Sequence, residues 1–121
     1  MTALLAPSAL LAVCRLDDLV PERGAAVVVD GRQVALFLLH DGSVRALSNR
    51  DPFSGAYVLS RGIVGDRSGR PVVVSPVYKQ AFDLETGQCL DSPDVRVPAY
   101  DIVVEADVVH VTRSVLPALR R

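Results

Sequence analysis

The chain has 121 residues, of which 50% are hydrophobic and 22% are charged, and its formal net charge is −1. This length and composition predict a single globular domain with one core and exclude a disordered chain. A net charge so close to zero gives no reason to expect nucleic-acid binding or attraction to an acidic membrane. No apolar stretch reaches the roughly 18 residues needed to cross a bilayer.

Two cysteines, Cys14 and Cys89, and two histidines, His40 and His110, lack the short spacings typical of metal ligands. The cysteines are interpreted as free thiols in a reducing cytosol, and the sequence alone leaves a disulfide between them open. The apolar N-terminus lacks the basic residues of a signal peptide. We therefore expect a cytoplasmic protein with a loose leader at residues 1–8.

Short apolar runs between turn residues predict β-strands along most of the chain. The first strand is predicted at residues 10–14. A single helical turn is predicted after it, capped by Asp17 and ended by Pro21. Asp-Gly pairs at residues 30–31 and 41–42 predict hairpin turns, because both residue types tolerate the positive φ values that tight hairpins need. An antiparallel meander is therefore predicted over residues 25–29, 32–39 and 44–47.

The strand predicted at residues 32–39 is apolar on both faces. Period-2 alternation places Val34, Leu36 and Leu38 on one face and Ala35, Phe37 and Leu39 on the other. We expect this strand to be buried on both sides.

The glycine-rich stretch at residues 61–70 interrupts the meander and is predicted to be a loop. The remaining predicted elements are a strand at 71–74, a hairpin over 81–90, a hairpin over 100–112 that turns at Ala106 and Asp107, and a tail at 113–121. About ten short strands and no long helix predict an all-β fold, either an antiparallel sandwich or a partly open barrel, with its core at residues 10–112.

No catalytic set assembles from the sequence. Ser54 and Ser75 have no histidine nearby, and neither lies in a nucleophile elbow. The aspartates lie mostly beside turn glycines and prolines, where turn geometry and solvation account for them. The glycine-rich connection lacks the lysine and spacing of a phosphate-binding loop. We therefore predict no catalytic residue in this chain.

Two short loops carry the most specific pattern, DPFSG at residues 51–55 and SPVYK at residues 75–79. They resemble the cluster-binding loops of the Rieske iron–sulfur fold, which read Cys-Pro-His-x-Gly and Cys-Pro-x-His. In that family a phenylalanine, an aspartate and a Thr-Gly turn follow the second loop. Phe82, Asp83, Thr86 and Gly87 match them here. The resemblance implies a Rieske-like fold with a two-loop subdomain.

All four cluster ligands are replaced. Asp51 and Ser75 stand at the cysteine positions, and Phe53 and Tyr78 stand at the histidine positions. A phenylalanine has no donor atom, a phenol is a poor ligand at neutral pH, and hard oxygens replace thiolates badly on soft cluster irons. We therefore expect neither a metal nor a [2Fe–2S] cluster in this chain.

A cluster-less Rieske-like domain of this size resembles the small subunit of the assimilatory NAD(P)H-dependent nitrite reductase. The similarity runs from about residue 13 to residue 112, and it is most specific at residues 49–54, 58–66 and 75–84. In that family the large subunit carries FAD, an iron–sulfur cluster and sirohaem, and it reduces nitrite to ammonium. The resemblance implies that this chain adds no redox centre and binds the large subunit to support its assembly or activity.

The aromatic residues of the two loops allow two interpretations. Phe53 and Tyr78 can pack against each other as a hydrophobic plug that closes the loops. Alternatively, the loop tips form a docking face for a partner, made of Pro52, Phe53, Pro76, Tyr78, Lys79 and Gln80.

Two other functions compete with the subunit hypothesis. One is a Rieske-type ferredoxin that carries electrons to an aromatic-ring dioxygenase, which the missing ligands disfavour. The other is a stand-alone binding or enzyme domain that reuses the fold, with a polar pocket between the loops. The candidates for lining such a pocket are Asp51, Ser54, Ser75 and Tyr78.

Overall fold

A computed structural model describes residues 10–112. The leader predicted at residues 1–8 and the tail predicted at residues 113–121 lie outside the described residues. Within residues 10–112, no helix is long and apolar enough to cross a membrane.

The described part of the chain contains ten strands and two short 3₁₀ turns, joined by turns and loops. The strands are β1 (Leu10–Arg15), β2 (Gly24–Val29), β3 (Arg32–Leu38), β4 (Val44–Ser48), β5 (Ile63–Arg67), β6 (Arg70–Val74), β7 (Ala81–Asp83), β8 (Ala99–Tyr100), β9 (Ile102–Glu105) and β10 (Val108–Thr112). The 3₁₀ turns are Leu16–Asp18 and Leu59–Arg61. The predicted all-β class is confirmed.

The strands form three antiparallel sheets, with the orders β1-β10-β9, β2-β3-β4-β8 and β5-β6-β7. The sheets are open, so the fold is a packed arrangement of sheets rather than a closed barrel. Tight turns connect the strands where they were predicted: Asp30 and Gly31 both have positive φ, as do Ala106 and Asp107.

The central strand β3 divides the hydrophobic core into two clusters. Its side chains Val34 and Leu36 belong to the cluster shared with the first sheet, where Val109 and Val111 pack. The alternate side chains of β3 belong to a second cluster, under the third sheet and the loops, and this set comprises Ala35, Phe37 and the adjoining Leu39. The predicted two-sided burial of this strand is confirmed.

Three local predictions are wrong. Residues 61–70 are not a continuous loop, because Ile63–Arg67 forms β5. This strand pairs on one edge only and is mostly exposed, so glycine and charged residues are tolerated there. Asp18, not Asp17, accepts the hydrogen bond that caps the first 3₁₀ turn. The strand expected from residue 100 is two strands, because β8 pairs with β4 whereas β9 pairs with β10.

Candidate functional site

A buried hydrogen bond joins the two loops that the sequence singled out. Asp51 and Ser75 have no exposed surface, and the Ser75 hydroxyl donates to Asp51 Oδ2 at 2.5 Å. The other carboxylate oxygen accepts from the backbone N–H groups of Phe53 (2.8 Å) and Ser54 (3.3 Å). Each oxygen of a buried carboxylate is thus satisfied without an opposite charge, and the two loops are tied together at their bases.

Three loops share one hydrogen-bond pattern: loop 1 (residues 51–55), loop 2 (residues 75–79) and loop 3 (residues 83–87). In each loop, the backbone N–H of the first residue donates to the carbonyl oxygen of the residue five positions later. The carbonyl oxygen of the first residue accepts from the N–H of the residue four positions later. Its side-chain oxygen also accepts from the N–H two residues on, at 2.8, 3.2 and 2.7 Å. The first residues are Asp51, Ser75 and Asp83, all of them buried.

The fifth residue of each loop has a left-handed backbone. Gly55 has φ 80° and Gly87 has φ 81°, whereas loop 2 has a lysine there, Lys79 with φ 68°. Left-handed φ values favour glycine because a Cβ crowds the following carbonyl oxygen. Gly87 is constrained further, since a Cβ there would overlap the carbonyl oxygen of Val97.

Asn49 fixes the chain where it enters loop 1. Its buried amide group donates to Gln33 Oε1 (3.0 Å) and to the Tyr57 carbonyl (3.2 Å), and it accepts from the Ser60 N–H at 2.7 Å. One side chain therefore connects β3, the segment that follows loop 1 and the 3₁₀ turn at Leu59–Arg61. Sequence reasoning missed this residue as an anchor, although a polar residue directly after a buried strand was a visible signal.

Asp91 holds the start of β7 in place below loop 2. Its carboxylate accepts from the Ala81 N–H at 2.8 Å and pairs with Arg67 at 3.0 Å. The hydrogen bond from the Ala81 backbone, followed by that from Arg67, lowers the pKa of Asp91 below its usual value. Its ionised form therefore links the start of β7, at Ala81, to the Arg67 side chain at the end of β5.

The predicted plug of Phe53 and Tyr78 is wrong for Tyr78. Phe53 packs against the core, with its ring centroid 6.2 Å from that of Phe82. Tyr78 is 59% exposed, so it does not cover Phe53 as a plug would require. The loops are held together instead by Phe53 on the core and by the bond between Asp51 and Ser75.

The six residues of the predicted docking face differ in exposure. Pro76, Tyr78 and Lys79 are exposed, and the half-buried members are Pro52, Phe53 and Gln80. Two apolar residues at this end of the molecule were missed from sequence. Val77, at the tip of loop 2, is 41% exposed, and Ile63, opposite Val74 at the end of β6, is 73% exposed. An apolar residue between Pro76 and Tyr78 was the signal for the first of them.

The side chains at the ligand positions do not fit the [2Fe–2S] cluster that a Rieske-like fold implies. Asp51 and Ser75 are bonded to each other in the core, Phe53 has no donor atom, and Tyr78 faces solvent. Among residues 10–112, no group of three or more His, Cys, Asp or Glu side chains is placed to hold a metal ion. The two cysteines are free thiols.

A polar pocket between the loops is also not formed by the predicted residues. Asp51 and Ser75 have no accessible surface and so cannot line an open pocket. Three clefts of about 330, 390 and 480 Å³ lie elsewhere, and none of them is lined by Asp51, Ser54, Ser75 or Tyr78.

The open sheets and the paired loops define a Rieske-like domain. The family of Rieske-like [2Fe-2S] domains matches residues 9–112. A solved structure described as an NADH-dependent nitrite reductase small subunit from Mycobacterium tuberculosis is 54% identical, with a TM-score of 0.84; the match covers 87% of this chain and 95% of that one. The nitrite reductase (NADH) small subunit of Salmonella typhimurium is 41% identical over 98 residues, which are 80% of this chain and 91% of that protein. The chain therefore belongs to the family of nitrite reductase small subunits.

A third relative has a different architecture. The nitrite reductase [NAD(P)H] large subunit of Klebsiella oxytoca is 43% identical over 94 residues, which are 78% of this chain but only 10% of that protein. A region similar to this chain is therefore part of a much longer polypeptide in that relative.

Proposed function

We propose that this chain is a subunit of NAD(P)H-dependent nitrite reductase that carries no redox centre of its own. It binds a large subunit that holds FAD, an iron–sulfur cluster and sirohaem and that reduces nitrite to ammonium. The complex is cytoplasmic, in keeping with two cysteines that are free thiols in the structure.

The Klebsiella oxytoca relative is the observation that carries this proposal. There, a region 43% identical to this chain lies in the same polypeptide as the rest of the large subunit. A covalent connection raises the effective concentration of two domains for each other. A separate chain must reach the same arrangement by non-covalent binding, so it needs a surface that recognises the large subunit.

The exposed end of loop 2 is the surface that fits this role best. Val77 and Tyr78 offer apolar and aromatic area to a partner, next to the positive charge of Lys79. The backbone hydrogen bonds of loop 2 and its bond to Asp51 hold these residues on a rigid base. Little backbone conformational entropy is then lost on binding, which favours affinity.

Electrons have no route through this chain in the proposed complex. The two cysteine positions hold Asp51 and Ser75, which are bonded to each other, and the histidine positions hold Phe53, in contact with Phe82, and the exposed Tyr78, so these side chains do not supply the ligands of a [2Fe–2S] cluster. The contribution of the chain is therefore structural. It holds the large subunit in an active arrangement or favours its assembly.

The test is co-expression with the cognate large subunit, followed by size-exclusion chromatography and a nitrite-reduction assay. We expect co-elution at micromolar concentration and faster nitrite reduction in the presence of this chain. Separate elution together with unchanged activity would contradict the proposal. Iron analysis of the purified chain tests the ferredoxin alternative, because about two irons per chain would indicate a bound cluster.

Matched variants locate the interface. Val77→Ala and Tyr78→Ala should weaken co-elution, because both side chains are exposed on loop 2. Val104→Ala is the control: Val104 is also 41% exposed but lies on β9, in the first sheet. Equal effects of Val77→Ala and Val104→Ala would rule out loop 2 as the contact while leaving the subunit role intact.

A further inference from the structure

Lys79 occupies a backbone position that its two counterparts fill with glycine. Loops 1, 2 and 3 share their hydrogen bonds, and their fifth residues all have positive φ. Gly55 and Gly87 adopt this conformation without a steric cost, whereas in Lys79 the Cβ atom crowds the following carbonyl oxygen and makes the conformation less favourable. A residue that makes its own loop less stable suggests a use for its side chain outside the loop.

The contacts of Lys79 within the chain do not account for this choice. Its ammonium group donates to the Pro76 carbonyl at 3.2 Å, in an exposed setting where water competes for the same bond. The ion pairs found within residues 10–112 are made by arginines and a histidine, and Lys79 takes part in none of them. Lys79 is also the only lysine in the sequence.

The surroundings of Lys79 define the kind of surface it would meet. Pro76, Val77 and Tyr78 precede it on the same loop and are all exposed. An ammonium group beside an apolar and aromatic tip fits a partner surface that combines a carboxylate with an apolar hollow.

We propose that a lysine occupies this left-handed position because its ammonium group pairs with a carboxylate of the large subunit, next to an apolar contact made by Val77 and Tyr78. This inference rests on the proposed function. Lys79 is thereby a specificity residue that makes the free chain less stable and the complex more stable.

The first arm of the test measures the isolated chain. Lys79→Gly should raise Tm by about 2–5 °C, because glycine removes the strain at φ 68°. Ala106→Gly is the matched control, since Ala106 has φ 52° in the exposed turn between β9 and β10. It should raise Tm by a similar amount. Lys79→Met keeps the strain and should leave Tm unchanged.

The second arm measures binding to the large subunit by titration calorimetry at two salt concentrations. Lys79→Gly and Lys79→Met should both raise Kd about 10-fold and make it less sensitive to salt. Lys79→Arg keeps a positive charge and should retain most of the affinity. Ala106→Gly should bind like the unaltered chain.

The outcomes separate this inference from the proposed function. If Lys79→Gly lowers Tm while Ala106→Gly raises it, the bond to Pro76 explains the lysine and the inference is overturned. If the unaltered chain binds and both uncharged variants bind equally well, the ion pair does not exist and the subunit role still stands. If the unaltered chain does not bind at all, the proposed function fails and this inference fails with it.

Discussion

Ser75→Ala is the sharpest test of how the two loops are held together. The substitution removes one oxygen atom and leaves a side chain that fits the same buried space. Asp51 Oδ2 loses the hydroxyl that donates to it, and it has no exposed surface through which water could replace that bond. The Val77 N–H loses its acceptor as well, but it lies in a partly exposed loop.

The expected cost follows from these two losses. A hydrogen bond to a charged group contributes about 1.5–3 kcal/mol to stability, and a buried acceptor without a partner costs a similar amount. Water can compensate the Val77 N–H, so it adds little. We expect Ser75→Ala to lower the free energy of unfolding by about 2–3 kcal/mol. For a chain of 121 residues the unfolding entropy is about 0.25 kcal/mol per kelvin, so Tm should fall by about 8–12 °C.

The assay is urea and thermal unfolding at pH 7, with Ser54→Ala as the control. The Ser54 hydroxyl accepts one exposed hydrogen bond, from the Ala56 N–H at 3.1 Å, so its loss should cost less than about 0.5 kcal/mol. A double-mutant cycle with Asp51→Asn then isolates the coupling between the two loops. A cost for Ser75→Ala no larger than that of the control would refute the view that this bond holds the loops together.

Three further variants test other parts of the site. Gly87→Ala should lower the free energy of unfolding by more than about 3 kcal/mol in a thermal melt, because the new Cβ would overlap the Val97 carbonyl oxygen. Gly69→Ala is the control: Gly69 has φ 85° but open space around it, so the loss should be only about 1 kcal/mol. Similar costs for the two would contradict the packing argument. Asn49→Ala should lower the free energy of unfolding by about 2–4 kcal/mol in urea, because three part-buried hydrogen bonds lose the buried Asn49 amide. A loss below about 1 kcal/mol would show that water replaces these bonds. The pKa of Asp91 is lower in the folded chain, so its contribution is complete above about pH 5 and is lost as the pH falls towards the folded value. Asp91→Asn should therefore destabilise the chain at pH 7 and flatten its stability below about pH 5, and an unchanged acid profile would contradict this assignment.

The sequence predicted the core well where alternation was strong. Every residue from Val34 to Leu39 is apolar, so both faces of the strand are apolar. This pattern indicates burial on both sides. β5 shows the opposite case. It is an edge strand with Gly65 and charged side chains, and its pairing with β6 depends on a turn at residues 68–69 rather than on its own composition.

The candidate site was predictable in its positions but not in its bonds. The resemblance to Rieske loops indicated where Asp51 and Ser75 lie, yet a hydrogen bond between residues 24 apart depends on the tertiary arrangement. The exposure of Tyr78 was likewise beyond the sequence, because an aromatic residue in a loop is compatible with either burial or exposure. Loop 3 did leave a signal, since residues 51–55 and 83–87 both read D-x-x-x-G.

Loop 3 also explains how the loop frame persists without cluster ligands. It has the same hydrogen bonds as loops 1 and 2, and it begins with Asp83, which pairs with Arg70 at 3.2 Å. The pattern therefore needs only an acceptor atom on the first residue and a left-handed fifth residue, and both requirements are independent of a metal. A carboxylate in loops 1 and 3 and a hydroxyl in loop 2 meet the first requirement. The oxygen side chains at the two cysteine positions, Asp51 and Ser75, thus keep the loop hydrogen bonds without supplying the thiolates that a cluster needs.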